Sequence, residues 1–201
     1  RREAWLQTLD SRYDAFKPRL RALLSHDASS VAQALLHTLP KVETGQFAAL
    51  WCELARRLGL QIGLVSGDWR SGVDAGDVER RLSEDRDRSI KAVAVVHNET
   101  STGVTSNIPA VRAAMNRADH PALLLVDTIS SLASIDYRHD AWGVDVTVGG
   151  SQKGLMLPPG LSFNAISGKA LAASQSSMLA KSYWAWEPMR KTTKNAFFPY
   201  T

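Results

Sequence analysis

The sequence contains a single cysteine, Cys52, and this scarcity excludes two kinds of site. One thiol cannot form an internal disulfide framework, and it cannot build a zinc site that needs several cysteines. Histidines are also few, and none forms a close pair with another; they are His26, His37, His97, His120 and His139. We therefore expect no bound metal.

Long apolar runs and an excess of one charge are absent as well. No stretch approaches the roughly 20 uncharged apolar residues that span a bilayer, and residues 1–16 lack the apolar core of a secretion signal. The net charge is only +4, and basic residues occur in pairs such as Arg56-Arg57 rather than in longer runs. These features predict a cytoplasmic protein that contacts neither a membrane nor nucleic acid.

What the sequence does contain is the composition of a globular protein, with 44% hydrophobic and 22% charged residues among 201. Apolar residues recur at helical spacing before Pro40. This pattern predicts a divergent helical amino-terminal segment over residues 1–40, with a helix from Ser30 to Leu39 that Pro40 stops. The pattern changes after Pro40, so we place a second domain over residues 41–201.

Helices and short apolar runs alternate over residues 41–201. One helix is predicted from Phe47 to Leu58, with Gly59 as its cap, because apolar residues recur there at three- and four-residue steps. Further helices are predicted over 77–82 and 108–118, and strands over 60–67, 90–96, 121–126, 144–148 and 161–166. Strands that are apolar on both faces and alternate with helices predict an α/β fold, with a mainly parallel sheet covered by helices on both faces.

Polar residues directly follow several of these apolar runs. The segment His97 to Gly103 follows one run, Asp127 follows another, and the turn from Gly149 to Gly154, which contains Lys153, follows a third. Ligands collect at the carboxyl ends of parallel strands, so we expect chemistry in these loops. A partly desolvated lysine can form a Schiff base with an aldehyde such as pyridoxal phosphate, and a buried Asp127 would keep the pyridine nitrogen protonated. The residues alone leave open that Lys153 is a solvated surface residue and that Asp127 caps a turn.

A set of ordered sequence blocks carries a resemblance to a known family. In order along the chain they are VHNETSTGV, LLLVDTISSL, DYRHDAWGVDV, GSQKGLMLPPGLSFNAIS and the terminal FFPYT. They resemble the class V, fold-type I, pyridoxal-phosphate-dependent aminotransferases, most closely the serine–glyoxylate and alanine–glyoxylate aminotransferases. The resemblance runs from about Val42 to the end of the sequence. It implies the large domain of such an enzyme, in incomplete form, with pyridoxal 5'-phosphate as cofactor.

The resemblance implies roles for several residues around the cofactor ring. Lys153, in SQKG, matches the lysine that forms the Schiff base and shuttles a proton. Asp127, in LVDTIS, matches the partner of the pyridinium nitrogen. Ile129 matches an apolar residue on one ring face, and Phe47, in ETGQF, matches the aromatic residue on the other, although Phe47 also fits core packing of its helix. Thr100, in NETST, matches a hydroxyl residue near the ring, with a turn-forming threonine as the alternative.

Other matches concern the cofactor phosphate and a second subunit. Gln152 matches a phosphate ligand, with Ser151 as a weaker candidate. Thr201, together with Tyr200, matches a segment that reaches the phosphate of the neighbouring subunit, so the resemblance implies a homodimer. An aromatic cluster in SYWAWEPM also favours association. It contains Trp184, Trp186 and Met189.

The sequence also departs from the family. Family members hold the phosphate with a glycine-rich turn, whereas the matching stretch from His26 to Gln33 contains no glycine. The strand expected between Leu39 and Glu43 is shortened to Pro40-Lys41-Val42, which should remove a piece of the sheet. Residues 1–25 do not resemble the family's amino-terminal arm. We also expect the sequence to end before the smaller carboxyl-terminal domain, which in the family holds the arginine that binds the substrate carboxylate.

The activity implied by the resemblance is transfer of an amino group from a small amino acid, serine or alanine, to the 2-oxo acid glyoxylate. The departures predict that these 201 residues alone turn over poorly. Two alternatives stay open. One is a truncated, non-catalytic homologue that serves as a folding or dimerisation module. The other is a cysteine-desulfurase-like enzyme, which needs a catalytic cysteine on a downstream loop, whereas Cys52 falls in the predicted helix beside Phe47.

Overall fold

The computed structural model describes residues 39–42, 44–65, 67–177 and 185–186. Its helices are α1 (Gln46–Arg57), α2 (Ala75–Glu84), α3 (Ile108–Arg117) and α4 (Gly168–Ser176). Its strands are β1 (Leu39–Val42), β2 (Ile62–Val65), β3 (Ala92–Val96), β4 (Leu123–Asp127), β5 (Val146–Gly150) and β6 (Ser162–Ile166). Within these ranges no helix is long and apolar enough to cross a membrane. The alternation of helices and strands confirms the predicted α/β fold.

The strands form one sheet in the order β2-β1-β3-β4-β5-β6, and the sheet is parallel except at one edge. Neighbouring strands from β2 through β5 pair in parallel. The last strand, β6, pairs with β5 in the antiparallel direction. Because the parallel strands share one direction, their carboxyl ends all lie at the same side of the sheet, which we call the carboxyl edge. The predicted, mainly parallel sheet is therefore confirmed.

Helices pack on both faces of this sheet. On one face, side chains of β3 and β4 form a buried core with residues of α2 and α3. This core includes Val93, Val95, Leu124, Val126, Val78, Leu82, Val111 and Met115. Successive strand residues point to opposite faces, and Ala94 and Leu125, which alternate with the core residues, line a cavity together with Trp51 of α1. Thus α1 lies on the face opposite α2 and α3.

Strand β1 corrects two predictions. Leu39 and Pro40 belong to this strand, so a helix does not extend to Leu39 and Pro40 is not its stop. The sheet has not lost the piece at Pro40-Lys41-Val42 either, because β1 lies between β2 and β3. The pairing of β1 with β3 is short, with a single register pair, Lys41 and Ala94. Residues 1–38 lie outside the described ranges, so the helical segment and its boundary stay predictions.

Two surfaces are more exposed than the apolar pattern suggested. The predicted helix at Phe47 is confirmed as α1, and Gly59 follows it with a positive φ of 80°. Several large apolar side chains, however, face solvent: Phe47, Leu50 and Leu54 of α1 and Leu58 just after it are exposed, whereas the small residues Ala48, Cys52 and Ala55 are buried. The apolar run predicted as a strand covered on both faces forms β6, an exposed edge strand with Phe163 39% exposed. A partner or another segment of the chain could therefore bind to either surface and cover its apolar residues.

Candidate active site

Three loops meet at the carboxyl edge, one after each of β3, β4 and β5. The first two are joined where the backbone N–H of His97 donates to the carbonyl of Asp127 at 2.9 Å, and where the Ser130 hydroxyl donates to the carbonyl of Asn98 at 2.7 Å. The second and third are joined by the N–H of Thr128, which donates to the carbonyl of Val148 at 2.8 Å. These bonds hold the loops together, as the parallel sheet predicts.

Asp127 is the last residue of β4, and both of its carboxylate oxygens accept hydrogen bonds. The backbone N–H of Ile129 donates to Oδ1 at 2.8 Å, and the indole Nε1–H of Trp51 donates to Oδ2 at 2.7 Å. A carboxylate oxygen has two lone pairs, so each oxygen can still accept another donor. Asp127 is therefore an oriented, half-buried acceptor at the carboxyl edge.

Lys153 lies in the turn after β5, where its side chain is exposed and forms no hydrogen bond or ion pair with the described residues. The shape of the turn depends on its neighbours. A Cβ on Gly154 would collide with the carbonyl of Leu132, and the buried hydroxyl of Ser151 donates to the carbonyl of Pro158 at 2.6 Å. The turn therefore presents an uncommitted amine, while the Ser151 hydroxyl is engaged by the backbone, which weakens its case as a phosphate ligand.

The other predicted ligands lie on α1 or in the loops at the carboxyl edge. Phe47 is 43% exposed, so core packing does not account for it, and a side chain at this position is accessible to a ring. Ile129 is half-buried just after Asp127, and Thr100 and Gln152 are exposed in the loops after β3 and β5. Their roles as cofactor ligands stay predictions. Thr201, Tyr200, Trp184, Met189 and the stretch 26–33 lie outside the described residues.

A buried acid, Glu99, fixes the start of α1. Gly45, the residue just before α1, has no side chain that could cap the helix. Glu99, from the loop after β3, takes this role and accepts from the N–H groups of Phe47 at 3.3 Å and Ala48 at 3.0 Å. Burial acts to raise the pKa of Glu99, but these bonds and those from the Ser101 hydroxyl and N–H outweigh it and hold the pKa below its usual value. A Cβ on Gly45 would collide with the Glu99 side chain. Glu99 thus joins the loop after β3 to α1.

Behind the loops, His97 belongs to an aromatic cluster. Its ring lies 5.3 Å from that of Tyr137 and 5.9 Å from that of Trp142, and its Nδ1 is 2.9 Å from the Ser131 hydroxyl. Burial lowers the pKa of His97, although Asp136 partly opposes this effect. Burial also raises the pKa of Tyr137 to about 12. Both side chains are neutral near pH 7, so they support the loops by packing rather than by carrying charge.

A cleft of about 530 Å³ opens at the opposite, amino-terminal side of the sheet, away from the predicted residues. Its buried charges are already paired, because Arg112 Nη2 donates to Asp145 Oδ2 at 2.8 Å. The Lys169 amine donates to the carbonyl of Ala122 at 2.8 Å, and burial lowers its pKa. The cleft is larger than the cavity beside Trp51, but the uncommitted amine and oriented carboxylate lie at the carboxyl edge, and we place the candidate site there.

Trp51 and Glu99 were not identified from the sequence. Trp51 follows Phe47 by one helical turn, so both side chains lie on one side of α1, and this spacing was the available signal. The partner of Trp51 is 76 residues away, and the partners of Glu99 on α1 are 51 and 52 residues away. Such pairings arise only when the sheet forms.

The residue types at the carboxyl edge fit pyridoxal phosphate. Lys153 offers an amine for an aldehyde, Asp127 offers acceptor lone pairs for a protonated ring nitrogen, and Ile129 and Phe47 offer apolar surface for a ring. The fold and site thus define an α/β protein with a ligand site at the carboxyl edge of a parallel sheet.

Comparison with known proteins then identifies the family. The chain belongs to the class-V aminotransferases, whose family model matches residues 39–183. This family implies pyridoxal phosphate as cofactor.

Individual relatives carry different names within the family. The chain is 48% identical over 162 residues to a serine–glyoxylate aminotransferase of Methylorubrum extorquens, an alignment that covers 78% of this chain and 40% of that protein. It is 43% identical over 157 residues to an L-aspartate–glyoxylate aminotransferase of Paracoccus denitrificans, with 78% of this chain and 40% of that protein covered. The chain therefore spans about two fifths of the length of these relatives.

A solved structure shares the fold. The crystal structure of an alanine–glyoxylate aminotransferase from Nostoc sp. superposes with a TM-score of 0.73 and 26% sequence identity, over 86% of this chain and 47% of that chain. The family resemblance read from the sequence blocks is confirmed.

Proposed function

We propose that this chain is the cofactor-binding part of a glyoxylate-dependent aminotransferase, with serine or alanine as amino donor. The observation that carries the proposal is the placement of two residues at the carboxyl edge: Asp127 ends β4, and Lys153 lies in the turn after β5, the neighbouring parallel strand. The names of the relatives supply the acceptor, because serine–glyoxylate and aspartate–glyoxylate aminotransferases share glyoxylate.

Each residue would act toward the cofactor in its own way. Lys153 supplies the amine that holds the aldehyde carbon, and its nitrogen then carries a proton to and from the substrate carbon. Asp127 accepts from the ring nitrogen, while Ile129 and Phe47 hold the ring by apolar contact. The cofactor, when bound, supplies an electron-withdrawing ring that stabilises negative charge on the substrate carbon. Thr100 and Gln152 offer neutral donors for its oxygen and phosphate groups.

The alternatives have less support. A cysteine desulfurase needs an accessible cysteine, whereas Cys52 is 3% exposed on the buried side of α1. A non-catalytic module would have no use for an oriented carboxylate and an uncommitted lysine at the same edge of the sheet. Relatives at 48% and 43% identity are named for serine and for aspartate, so aspartate is the donor to compare with serine and alanine.

A homodimer is part of the proposal. The exposed leucines Leu50 and Leu54 of α1, with Leu58 just after it, supply a surface suited to a second copy of the chain. We also propose that the protein works in the cytoplasm, on the grounds of its composition.

A single-turnover experiment tests the proposed reaction without requiring steady turnover. The protein, loaded with pyridoxal phosphate, is mixed with serine, alanine or aspartate, and the cofactor is then extracted and separated by chromatography. We expect serine or alanine to convert it to pyridoxamine phosphate, and glyoxylate to convert it back with formation of glycine.

Lysine variants provide the controls. Lys153→Ala should lose the conversion. Lys91→Ala and Lys169→Ala should keep it, because those amines donate to backbone carbonyls of Arg88 and Ala122 at the opposite side of the sheet. Asp127→Asn should weaken cofactor binding without abolishing capture at Lys153, and it should slow the conversion more than the capture. No conversion by any amino acid in the native chain would support the non-catalytic module instead.

A further inference from the structure

One contact at the carboxyl edge joins residues that lie 76 positions apart in the sequence. Trp51, in the middle of α1, donates its indole N–H to Oδ2 of Asp127 at 2.7 Å. The indole nitrogen is only a donor, so this bond leaves the carboxylate in the role of acceptor. Trp51 therefore fixes how Asp127 presents its oxygens.

The surroundings of this bond make it strong. Trp51 and Asp127 line a small cavity whose other walls are apolar, formed by Ala94, Val95, Val96, Leu125, Val126 and Val148. Water competes poorly for a hydrogen bond in such surroundings, and a carboxylate that loses its donor there is left partly unsatisfied. Loss of the Trp51–Asp127 contact should therefore lower the free energy of unfolding as well as the affinity for the cofactor.

The helix that carries Trp51 is itself held in place. Glu99 accepts from the N–H groups of Phe47 and Ala48, and Ser101 Oγ accepts from the N–H of Gln46 at 3.0 Å. These bonds tie the first turn of α1 to the loop after β3. Because α1 cannot easily rotate, the indole is presented to Asp127 in a fixed direction.

We propose that Trp51 is a positioning residue for Asp127. Its N–H, together with the N–H of Ile129 on Oδ1, fixes the carboxylate so that its remaining lone pairs can accept from the ring nitrogen of the cofactor. This inference rests on the proposed function, because it assigns Asp127 to the ring nitrogen. Trp51 itself contributes no reacting atom.

A double-mutant cycle in unfolding tests the contact without cofactor. The variants are Trp51→Phe, Asp127→Ala and the double variant, compared by urea unfolding of the cofactor-free protein. A hydrogen bond to a charged group predicts a coupling of about tenfold or more in the unfolding equilibrium constant. The control is Trp142→Phe with Asp127→Ala, because the Trp142 ring packs against His97 and Tyr137. Equal, negligible coupling in both cycles would overturn the inference.

Cofactor affinity tests the positioning role. We expect Trp51→Phe to raise the dissociation constant for pyridoxal phosphate about tenfold, and Trp142→Phe to leave it unchanged. An analogue with carbon in place of the ring nitrogen should bind native protein and Trp51→Phe alike, because it offers no N–H to Asp127. If Trp51→Phe loses equal affinity for the cofactor and for the analogue, Trp51 acts only by packing, and the inference is overturned.

The two proposals fail in different ways. If the native chain does not bind pyridoxal phosphate at all, the proposed function and the positioning role fail together, but a coupled cycle would still establish the Trp51–Asp127 contact. If the chain binds the cofactor and Trp51→Phe has no effect, only the positioning role fails.

Discussion

Two acids near the carboxyl edge differ in what their oxygens already bind. Glu99 is fully buried, and donors from α1 and Ser101 surround its carboxylate, so it acts within the structure. Asp127 is half-buried and has one donor on each oxygen, so it retains capacity for a ligand. The number of committed lone pairs, rather than the residue type, separates the structural acid Glu99 from Asp127, the acid that we propose binds the cofactor.

Two buried histidines predict that acid lowers the stability of the fold. Burial lowers the pKa of His97 and of His120 from 6.5, so the folded state favours their neutral forms. A lowered pKa means that the free energy of unfolding is greatest above pH 6.5 and falls as the pH drops toward the folded values. The pKa values of Asp85 and Glu99 are also lowered, so protonation of these two carboxylates reduces the free energy of unfolding further below about pH 4.5.

Urea unfolding between pH 8 and pH 5 measures this dependence. The midpoint should fall steadily below about pH 6.5. His97→Gln should weaken the dependence between pH 7 and pH 5, because one buried titrating group is removed. A midpoint that stays constant or rises as the pH falls would contradict the assignment of neutral, buried histidines.

At the residue scale, the sequence predicted the positions that depend on strand ends. Asp127 and Lys153 follow apolar runs, and the family resemblance gave them roles. Trp51 and Glu99 escaped prediction because their partners are distant in sequence and their contacts depend on how α1 packs. The exposure of side chains could not be predicted either: Phe47 fits an amphipathic pattern, yet it is exposed, whereas the buried residues of α1 are the small Ala48, Cys52 and Ala55.

At the scale of elements, the turn after β5 should depend on one glycine. A Cβ on Gly154 would meet the hydroxyl of Ser134 and the backbone carbonyl of Leu132, and the backbone cannot easily move. Gly154→Ala should therefore destabilise the protein by about 1–3 kcal/mol and weaken cofactor binding through Lys153. Gly168→Ala is the matched control, because nothing lies within 4 Å of a Cβ there. That change at the start of α4 should be neutral or stabilising by up to about 1 kcal/mol. Equal effects in thermal unfolding would contradict this account.

A second prediction concerns the amino-terminal side, where Asp145 links several elements. It accepts from Arg112 of α3 at 2.8 Å, from the N–H of Leu124 at 2.8 Å, and from Ser167, which caps α4, at 2.9 Å. Arg112→Met should lower the free energy of unfolding by about 1.5–3 kcal/mol, because a charged hydrogen bond on a buried carboxylate is lost. Arg138→Met, which breaks an exposed pair with Asp136, should leave the urea midpoint unchanged. A similar effect of both changes would argue against the buried pair.

The positions of helices and strands were predicted better than their burial and their neighbours in the sheet. The alternation of apolar runs and helices located most strands, because parallel strands are apolar on both faces. The segment at Pro40 was misjudged because proline suppresses strand and helix signals alike, while β1 is held by its neighbours β2 and β3. The position of β6 was predicted correctly, but its exposure was not, because composition does not reveal which strand lies last in a sheet.

At the scale of the whole molecule, the exposed apolar side of α1 predicts a homodimer. Light scattering at micromolar concentration should give twice the chain mass of 22.0 kDa. Leu54→Glu should shift the protein toward the monomer, because a charge would be buried in the interface, whereas Arg86→Glu, at an exposed loop position, should not. A measured mass of about 22.0 kDa in solution would contradict the dimer and the cross-subunit role implied for Thr201.

The proposed function depends above all on Lys153 as the residue that holds the cofactor. Borohydride reduction of the protein mixed with pyridoxal phosphate, followed by digestion and peptide mass analysis, locates the lysine that carries it. We expect one pyridoxyl group, on the peptide that contains Lys153. A group on Lys91 or Lys169, or none at all, would contradict it.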